Sequence, residues 1–207
     1  EGYLVEGDII LTEKDLQEAP SFQSFRFAET EQYSTTNLVK PASRTITVSG
    51  PTSPAEFSVA IDSAIDRYNK AGTTLTFQRQ STGADIAITL INTGQYIASS
   101  GFPSSTGVPY GSVNYAKKYS TNYSIGFMTT VITHEIGHCI GFRHTDYMNR
   151  SFSCGTGGNE GNAGVGAVLI HGTPSDPEKG SWMLACLSSS SNRKFTANDI
   201  TALKYLY

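Results

Sequence analysis

Three histidines at fixed spacing constrain this chain more than any other feature of its sequence. His134 and His138 lie four residues apart, a spacing that puts both side chains on one face of a helix. Gly141 follows where a helix needs a left-handed residue to end, and the chain can then turn back to His144. The sequence therefore predicts a helix over residues 127–140, a sharp turn after it, and three imidazoles close together.

Three neutral imidazoles are a suitable ligand set for one zinc ion. They leave one tetrahedral position open, which is typical of catalytic rather than structural zinc. Glu135 follows the first histidine and is rotated toward that open position, where it can take a proton from zinc-bound water and pass it to a leaving amine. Such a pattern arises by chance in on the order of one in 10⁵ chains of this length, so core or surface histidines are a poor explanation.

Periodicity elsewhere predicts an alternation of strands and helices. The predicted strands cover residues 45–48, 75–78, 85–91 and 112–116. Ser53 and Glu56 form a capping-box pattern at the start of a helix that should end at Gly72. Residues 92–111 are rich in Gly, Pro and Ser and should be loop, and a last helix is predicted to start near Thr196. The order is strand, helix, strands, helix, loops, helix.

Charge and composition argue against binding to nucleic acid and against a membrane-spanning helix. The net charge of -3 provides no basic surface for nucleic acid. No segment approaches the roughly 18 consecutive apolar residues that a membrane-spanning helix needs. At 207 residues, the simplest arrangement is one catalytic unit with an extension.

The histidine pattern resembles a known signature. His-Glu-x-x-His-x-x-Gly-x-x-His is similar to the metzincin motif, and metzincins carry a methionine turn after it, which Ser181-Trp182-Met183 fits. Within that clan, residues 134–146 look most like the bacterial dual-action HEIGH metallopeptidases, and the likeness extends to the terminal helix. The resemblance implies an α+β fold with a twisted, mainly parallel sheet, two long helices over the active-site cleft, and a small irregular C-terminal part ending in a helix.

This resemblance also implies a function. It predicts a zinc-dependent endopeptidase that acts on protein or peptide substrates, with Met183 as an apolar floor beneath the histidines and one zinc ion. The catalytic domain is expected at residues 41–207, with an upper part at 41–141 and a lower part at 142–207. We also expect from the resemblance that the protein is bacterial and monomeric. Its expected location is secreted, cell-surface or periplasmic. Substrates are expected to pair with a sheet edge at residues 111–115.

Residues 1–40 look like an arm laid on another unit. The segment 5–9, Val-Glu-Gly-Asp-Ile, resembles the Phe-x-Gly-Asp segment of astacin pro-peptides, whose aspartate binds the catalytic zinc and keeps the enzyme latent, although Val5 stands in place of phenylalanine. Asp8 is therefore expected to fill the fourth zinc position, where Gly7 allows close backbone approach. The alternative is an ordinary turn at Gly7 and Asp8.

Several positions depart from the astacin pattern or leave alternatives open. Ala185 replaces a tyrosine that can stabilise the oxyanion, and His171 and Tyr147 are candidates for that role, with loop and packing roles as their alternatives. Thr145 replaces a glutamate after the third histidine, and Asp146 beside it can either anchor a new amino terminus or have a helix-cap or turn role. A disulfide can join Cys186 to Cys139 or to Cys154.

Two other functions fit the same motif. One is a catalytically silent zinc-containing binding or adhesion module, which would leave Glu135 without a role. The other is a zinc hydrolase of a non-peptide amide, which only the family resemblance disfavours. Hydrolysis of denatured casein, compared with a Glu135→Ala control, separates these functions from an endopeptidase.

Overall fold

The computed structural model of the chain describes residues 2–5, 7–13, 32–161, 164–174 and 176–207. In chain order the strands are β1 (Gly2–Val5), β2 (Ile9–Thr12), β3 (Tyr33–Ser34), β4 (Thr45–Ser49), β5 (Thr76–Arg79), β6 (Ile86–Ile91), β7 (Ala98–Ser99), β8 (Ser112–Ala116) and β9 (Val168–Leu169). The helices are α1 (Ala55–Lys70), α2 (Ile125–Cys139), α3 (Ser151–Cys154) and α4 (Ala197–Leu206), with a 3-10 turn at Lys117–Tyr119. Among these helices, none has the length and apolar character needed to cross a membrane.

A five-stranded sheet in the order β5-β4-β6-β8-β7 forms the centre of the domain. Its first four strands are parallel and β7 is antiparallel, which confirms the predicted α+β fold with a mainly parallel sheet. The predicted substrate edge at residues 111–115 is wrong, because β8 pairs with β6 on one side and with β7 on the other. The edge strand next to β8 is β7, which lies in a stretch predicted to be loop and is too short for periodicity to reveal.

Helix α1 packs its apolar face into the main core. Its buried residues are Phe57, Ala60, Ile61, Ala64, Ile65 and Tyr68. The helix ends as predicted, with Gly72 at a φ of 73°. The predicted capping box at Ser53 is wrong: Pro54 is the extended N-cap residue and no side chain caps the helix. The Pro54 carbonyl instead accepts hydrogen bonds from the next turn.

Helix α2 carries the histidine motif through the centre of the molecule. Ser124 caps it by accepting a hydrogen bond from the Phe127 backbone N–H at 3.1 Å. Every residue from 127 to 139 is buried, so the helix lies in the core on all sides rather than presenting a polar face to solvent. The Tyr68 hydroxyl donates to the Thr133 carbonyl at 2.7 Å, which joins α1 to α2. The site is therefore built on a rigid, fully packed element.

The N-terminal arm is a β-hairpin in the described residues. Strands β1 and β2 pair antiparallel, and the turn between them carries Asp8. Residues 32–40, which were predicted to belong to the arm, contact the rest of the domain. Strand β3 pairs with β9, and the Gln32 side chain donates to Asp199 at 2.6 Å. The described part of the hairpin covers residues 2–5 and 7–12, and the divisions of the chain at residues 40 and 141 remain predictions.

Helix α4 closes the lower part of the domain and begins where the sequence predicts. Thr196 and Asp199 form a reciprocal capping box. The buried Asp199 carboxylate also accepts hydrogen bonds from the Ser181 hydroxyl at 2.8 Å and the Trp182 backbone N–H at 3.2 Å. Asp199 thereby fixes the segment before Met183 to the terminal helix.

Candidate metal centre

The chain brings all three predicted histidines and Asp8 to one point. His134 and His138 project from α2, and the chain turns at Gly141, whose φ is 111°. At this φ a side chain is strained, and its Cβ would also lie 3.0 Å from the Asn37 carbonyl oxygen, so the turn favours glycine. One potential ligand atom from each residue lies within 4.8 Å of the others; the four residues are Asp8, His134, His138 and His144.

Hydrogen bonds at Nδ1 orient each imidazole. The three pairs are His134 with the Trp182 carbonyl (2.9 Å), His138 with the Phe142 carbonyl (2.8 Å) and His144 with Glu160 Oε1 (2.8 Å). Carbonyl and carboxylate oxygens only accept hydrogen bonds, so each Nδ1 must carry the hydrogen. In the neutral ring this leaves the Nε2 lone pair directed at the common point.

The inward-facing atoms fit a bound cation. His134 Nε2 and His138 Nε2 lie 2.9 Å apart, and two lone pairs at that distance repel each other unless they share a positive charge. Asp8 Oδ2 lies 3.1 Å from His144 Nε2, and Asp8 Oδ1 is buried without a hydrogen-bond partner among the described residues. Ligands at about 2.0–2.1 Å from tetrahedral zinc would be separated by about 3.3 Å, close to these distances.

Charges at the centre shift the affinities of its groups for protons. Burial alone would raise the pKa of Asp8, but His144 and His134 hold it well below its usual range. Burial, followed by the charge of Asp8, raises the pKa of Glu135 well above its ordinary value. Burial, followed by the neighbouring His134 and His144, lowers the pKa of His138 well below its ordinary value. A neutral imidazole and an ionised Asp8 are the forms that bind a metal.

Glu135 has a buried partner that sequence reasoning missed. The Ser100 hydroxyl donates to Glu135 Oε2 at 2.6 Å and lies 3.2 Å from the Glu135 carbonyl oxygen. Ser100 directly follows the short edge strand β7. Because it lies in a loop-like stretch of sequence, no periodicity marked it as part of the site.

A buried carboxylate in the glycine-rich loop supports the third histidine. Besides its bond to His144, Glu160 lies 3.7 Å from Arg143 Nη2 and 3.3 Å from Arg150 Nε. Its side chain is almost fully buried. Sequence reasoning missed this residue too, although it is the single charged residue among residues 155–166. That isolation among glycines is the one signal that could have identified it.

The methionine turn packs against the helix as the resemblance implies. A Cβ at Gly137 would lie 2.6 Å from Met183 Sδ, so the absence of a side chain at Gly137 leaves room for Met183. The Thr145 backbone N–H donates to the Met183 carbonyl at 2.8 Å. The Asp146 carboxylate joins this turn to α3: Oδ1 accepts from the Ala185 backbone N–H at 2.9 Å, and Oδ2 accepts from the Ser153 hydroxyl.

The remaining predicted residues lie outside the cluster. His171 is exposed and its ring lies 6.1 Å from that of Tyr205 on α4, so its position gives an oxyanion role no support. Tyr147 is buried against the Tyr33 ring at 4.8 Å and the Arg143 guanidinium at 4.4 Å, which makes it a packing residue. The cysteine alternatives resolve to a disulfide and a buried free thiol: Cys154–Cys186 and Cys139.

A cavity of about 210 Å³ opens beside the cluster. Its wall includes His134 and Glu135 on one side and Ala185 on another. Gly7 and Asp8 at the tip of the arm form a further part of this wall. The arm therefore stands in the cleft next to the residues predicted to carry out chemistry.

Comparisons with known proteins agree with this arrangement. Residues 3–207 match the dual-action HEIGH metallo-peptidase family. A comparison with curated proteins gives no significant match. Two solved structures of myroilysin are similar in fold, one with a TM-score of 0.52 and 15% identity over 83% of this chain and 96% of that chain. The other has a TM-score of 0.53 and 14% identity over 97% of this chain and 98% of that chain. A family match over nearly the whole length, together with a cluster suited to one zinc ion, establishes that the chain belongs to the dual-action HEIGH metallopeptidases and is a zinc metallopeptidase.

Proposed function

We propose that the chain is a latent zinc endopeptidase in which Asp8 completes the coordination of the metal. The other three ligands would be His134, His138 and His144. The observation that carries this proposal is the pair of Nε2 lone pairs that face each other at 2.9 Å with the ionised Asp8 beside them. Three imidazoles and one carboxylate complete a tetrahedral set, so the position needed for catalysis is filled.

Glu135 is the acid–base residue of the proposed reaction. Zinc, when bound, supplies a Lewis acid that polarises the scissile carbonyl and lowers the pKa of water. Glu135 would remove a proton from the attacking water and deliver it to the leaving amine. Its high affinity for protons in the latent state comes from burial and the nearby negative charge of Asp8. Departure of the arm would remove that negative charge and admit water.

The arm would also block the substrate path. The Ser100 backbone N–H donates to the Asp8 carbonyl at 2.8 Å, and the Ile10 backbone N–H donates to the Ser100 carbonyl at 2.6 Å. This parallel pairing extends the edge strand with the arm, in the place where an extended peptide would gain its backbone hydrogen bonds. Latency would therefore rest on two blocks, one at the metal and one at the sheet edge.

The expected location is outside the cytoplasm, in a secreted, cell-surface or periplasmic form of a bacterial enzyme acting as a monomer. The disulfide between Cys154 and Cys186 supports this part of the proposal, because disulfides persist in oxidising compartments. Cell fractionation followed by detection of the chain tests it, and recovery only from the cytoplasm would contradict it.

Asp8→Ala in the full chain tests latency. Loss of a charge-assisted contact of about 1.5–3 kcal/mol should raise the rate of hydrolysis of denatured casein by roughly 10- to 150-fold. Asp66→Ala is the matched control, because Asp66 is an exposed carboxylate on α1 whose partner is Lys70. Equal rates for the Asp8 variant and the parent chain would show that the contact of Asp8 with the metal centre does not keep the chain latent.

Glu135→Ala in the Asp8→Ala chain tests the acid–base role. The double variant should retain zinc, because Glu135 is not among the ligands, while casein hydrolysis should fall by about 10²–10⁴-fold. Removal of zinc with a chelator should abolish hydrolysis in the Asp8→Ala chain, and added zinc should restore it. If the double variant hydrolyses casein as fast as the Asp8→Ala chain, Glu135 is not the acid–base residue.

A further inference from the structure

We infer that Ser100 is a positioning residue that holds the Glu135 carboxylate in its working orientation and ties that orientation to the strand that carries the substrate. The inference rests on the proposed function, in which Glu135 transfers the proton. Ser100 itself would touch neither the metal nor the reacting atoms.

The contact between the two side chains is short and shielded from water. Ser100 is 0% exposed and Glu135 is 2% exposed. The hydroxyl oxygen lies 2.6 Å from Glu135 Oε2, at the short end of the range for an O–H···O hydrogen bond. A carboxylate at the end of a long side chain has several rotamers, and a fixed donor in a dry site selects one of them.

The backbone of Ser100 is engaged separately from its side chain. Its N–H donates to the Asp8 carbonyl and its C=O accepts from the Ile10 N–H, so the arm occupies both backbone hydrogen-bonding groups of this residue. When a peptide replaces the arm, the same two groups are available to pair with it. Ser100 would then bind the peptide through its backbone and orient the Glu135 carboxylate through its hydroxyl. One residue would thus set the distance between the peptide and Glu135.

The neighbouring residue offers a matched control. Ser99 is also 0% exposed and lies in β7, directly before Ser100. Its hydroxyl has no hydrogen-bond partner among the described residues. Removal of either hydroxyl takes the same atom from the same edge of the sheet, but only one of the two changes affects Glu135.

The experiment uses the full chain with Asp8→Ala as parent and measures kcat and KM on an unstructured, internally quenched peptide taken from casein. Ser100→Ala should lower kcat by about 10- to 100-fold, because the carboxylate loses its orientation. KM should stay within about threefold, because the backbone groups that pair with the peptide remain. Ser99→Ala should leave both constants unchanged, and zinc content and thermal midpoint are measured for every variant.

A second pair of variants guards against a packing effect. Threonine and valine at position 100 have nearly the same shape, but only threonine has a hydroxyl. The kcat of Ser100→Thr should therefore exceed that of Ser100→Val by about 10- to 100-fold, as expected for serine over alanine. A value of kcat in Ser100→Ala equal to that in Ser99→Ala would overturn the inference, as would equal kcat values for the threonine and valine variants. An effect confined to KM would also overturn it. If the zinc-loaded parent hydrolyses nothing even when Ile9→Ala and Leu11→Ala are added to release the arm, the proposed function itself fails and the role of Ser100 fails with it.

Discussion

Glu160 illustrates how much of this centre depends on single residues beyond the histidines. One buried carboxylate contacts His144, Arg143 and Arg150. A hydrogen bond from a ligand imidazole to a carboxylate fixes the ring and raises its basicity toward the metal. The two guanidinium groups in turn fix the carboxylate. We therefore regard Glu160 as a positioning residue for His144, the third proposed zinc ligand.

Glu160→Gln should weaken zinc binding by about 10- to 100-fold, because glutamine preserves the shape but removes the charge that polarises His144. Competition with a chromophoric chelator measures the zinc affinity directly. Glu56→Gln, at an exposed position in the first turn of α1, is the matched control and should leave that affinity unchanged. Equal zinc affinities for the two variants would show that Glu160 serves only to pair with the arginines.

At the level of elements, the methionine turn is held by a disulfide and by buried polar contacts. Cys154 on α3 is bonded to Cys186, which lies three residues after Met183. The Cys186 backbone N–H also donates to the Ser153 hydroxyl at 3.0 Å. These contacts connect the turn beneath the histidines to the short helix α3.

Replacing Cys154 and Cys186 together by serine should lower the free energy of unfolding by about 3–4 kcal/mol, since the bond closes a loop with a sequence separation of 32 residues. Urea unfolding of the zinc-loaded protein measures the loss. A reducing agent should lower the stability of the parent protein by a similar amount and leave the double variant unchanged. A double variant as stable as the parent would mean that the polar contacts alone secure the turn.

The sequence predicts the long elements well because their signals are local. The helix of the histidine motif, the stop at Gly72 and the capping box at Thr196 each depend on residues within a few positions of one another. Strands β3, β7 and β9 have two residues each, so tertiary pairing rather than periodicity creates them. His134, His138 and His144 are recognisable as candidate ligands from local spacing. Ser100 and Glu160 carry no such signal, because they reach the site from loops distant in sequence.

For the molecule as a whole, the arm is held by three kinds of interaction. Asp8 contacts the histidines, and two backbone hydrogen bonds join the arm to Ser100. Ile9 and Leu11 are 0% and 2% exposed in a small cluster separate from the main core, against two partners from the domain, Phe102 and Val165. Burial of each of these two side chains contributes about 1.5–3 kcal/mol. The apolar anchor is therefore comparable to the contact at the metal and independent of it.

Ile9→Ala with Leu11→Ala should accordingly activate the full chain although Asp8 and every zinc ligand remain. Weaker burial should shift the arm toward release, and casein hydrolysis should rise by about tenfold or more. Tyr3→Ala with Leu4→Ala is the matched control in the same hairpin, because these side chains are 54% and 39% exposed and should leave the rate unchanged. Combination with Asp8→Ala decides whether the anchors act separately: independent anchors give additive free energies of activation. A chain that stays latent after loss of both apolar side chains would show that the contact at the metal alone keeps the arm in the cleft.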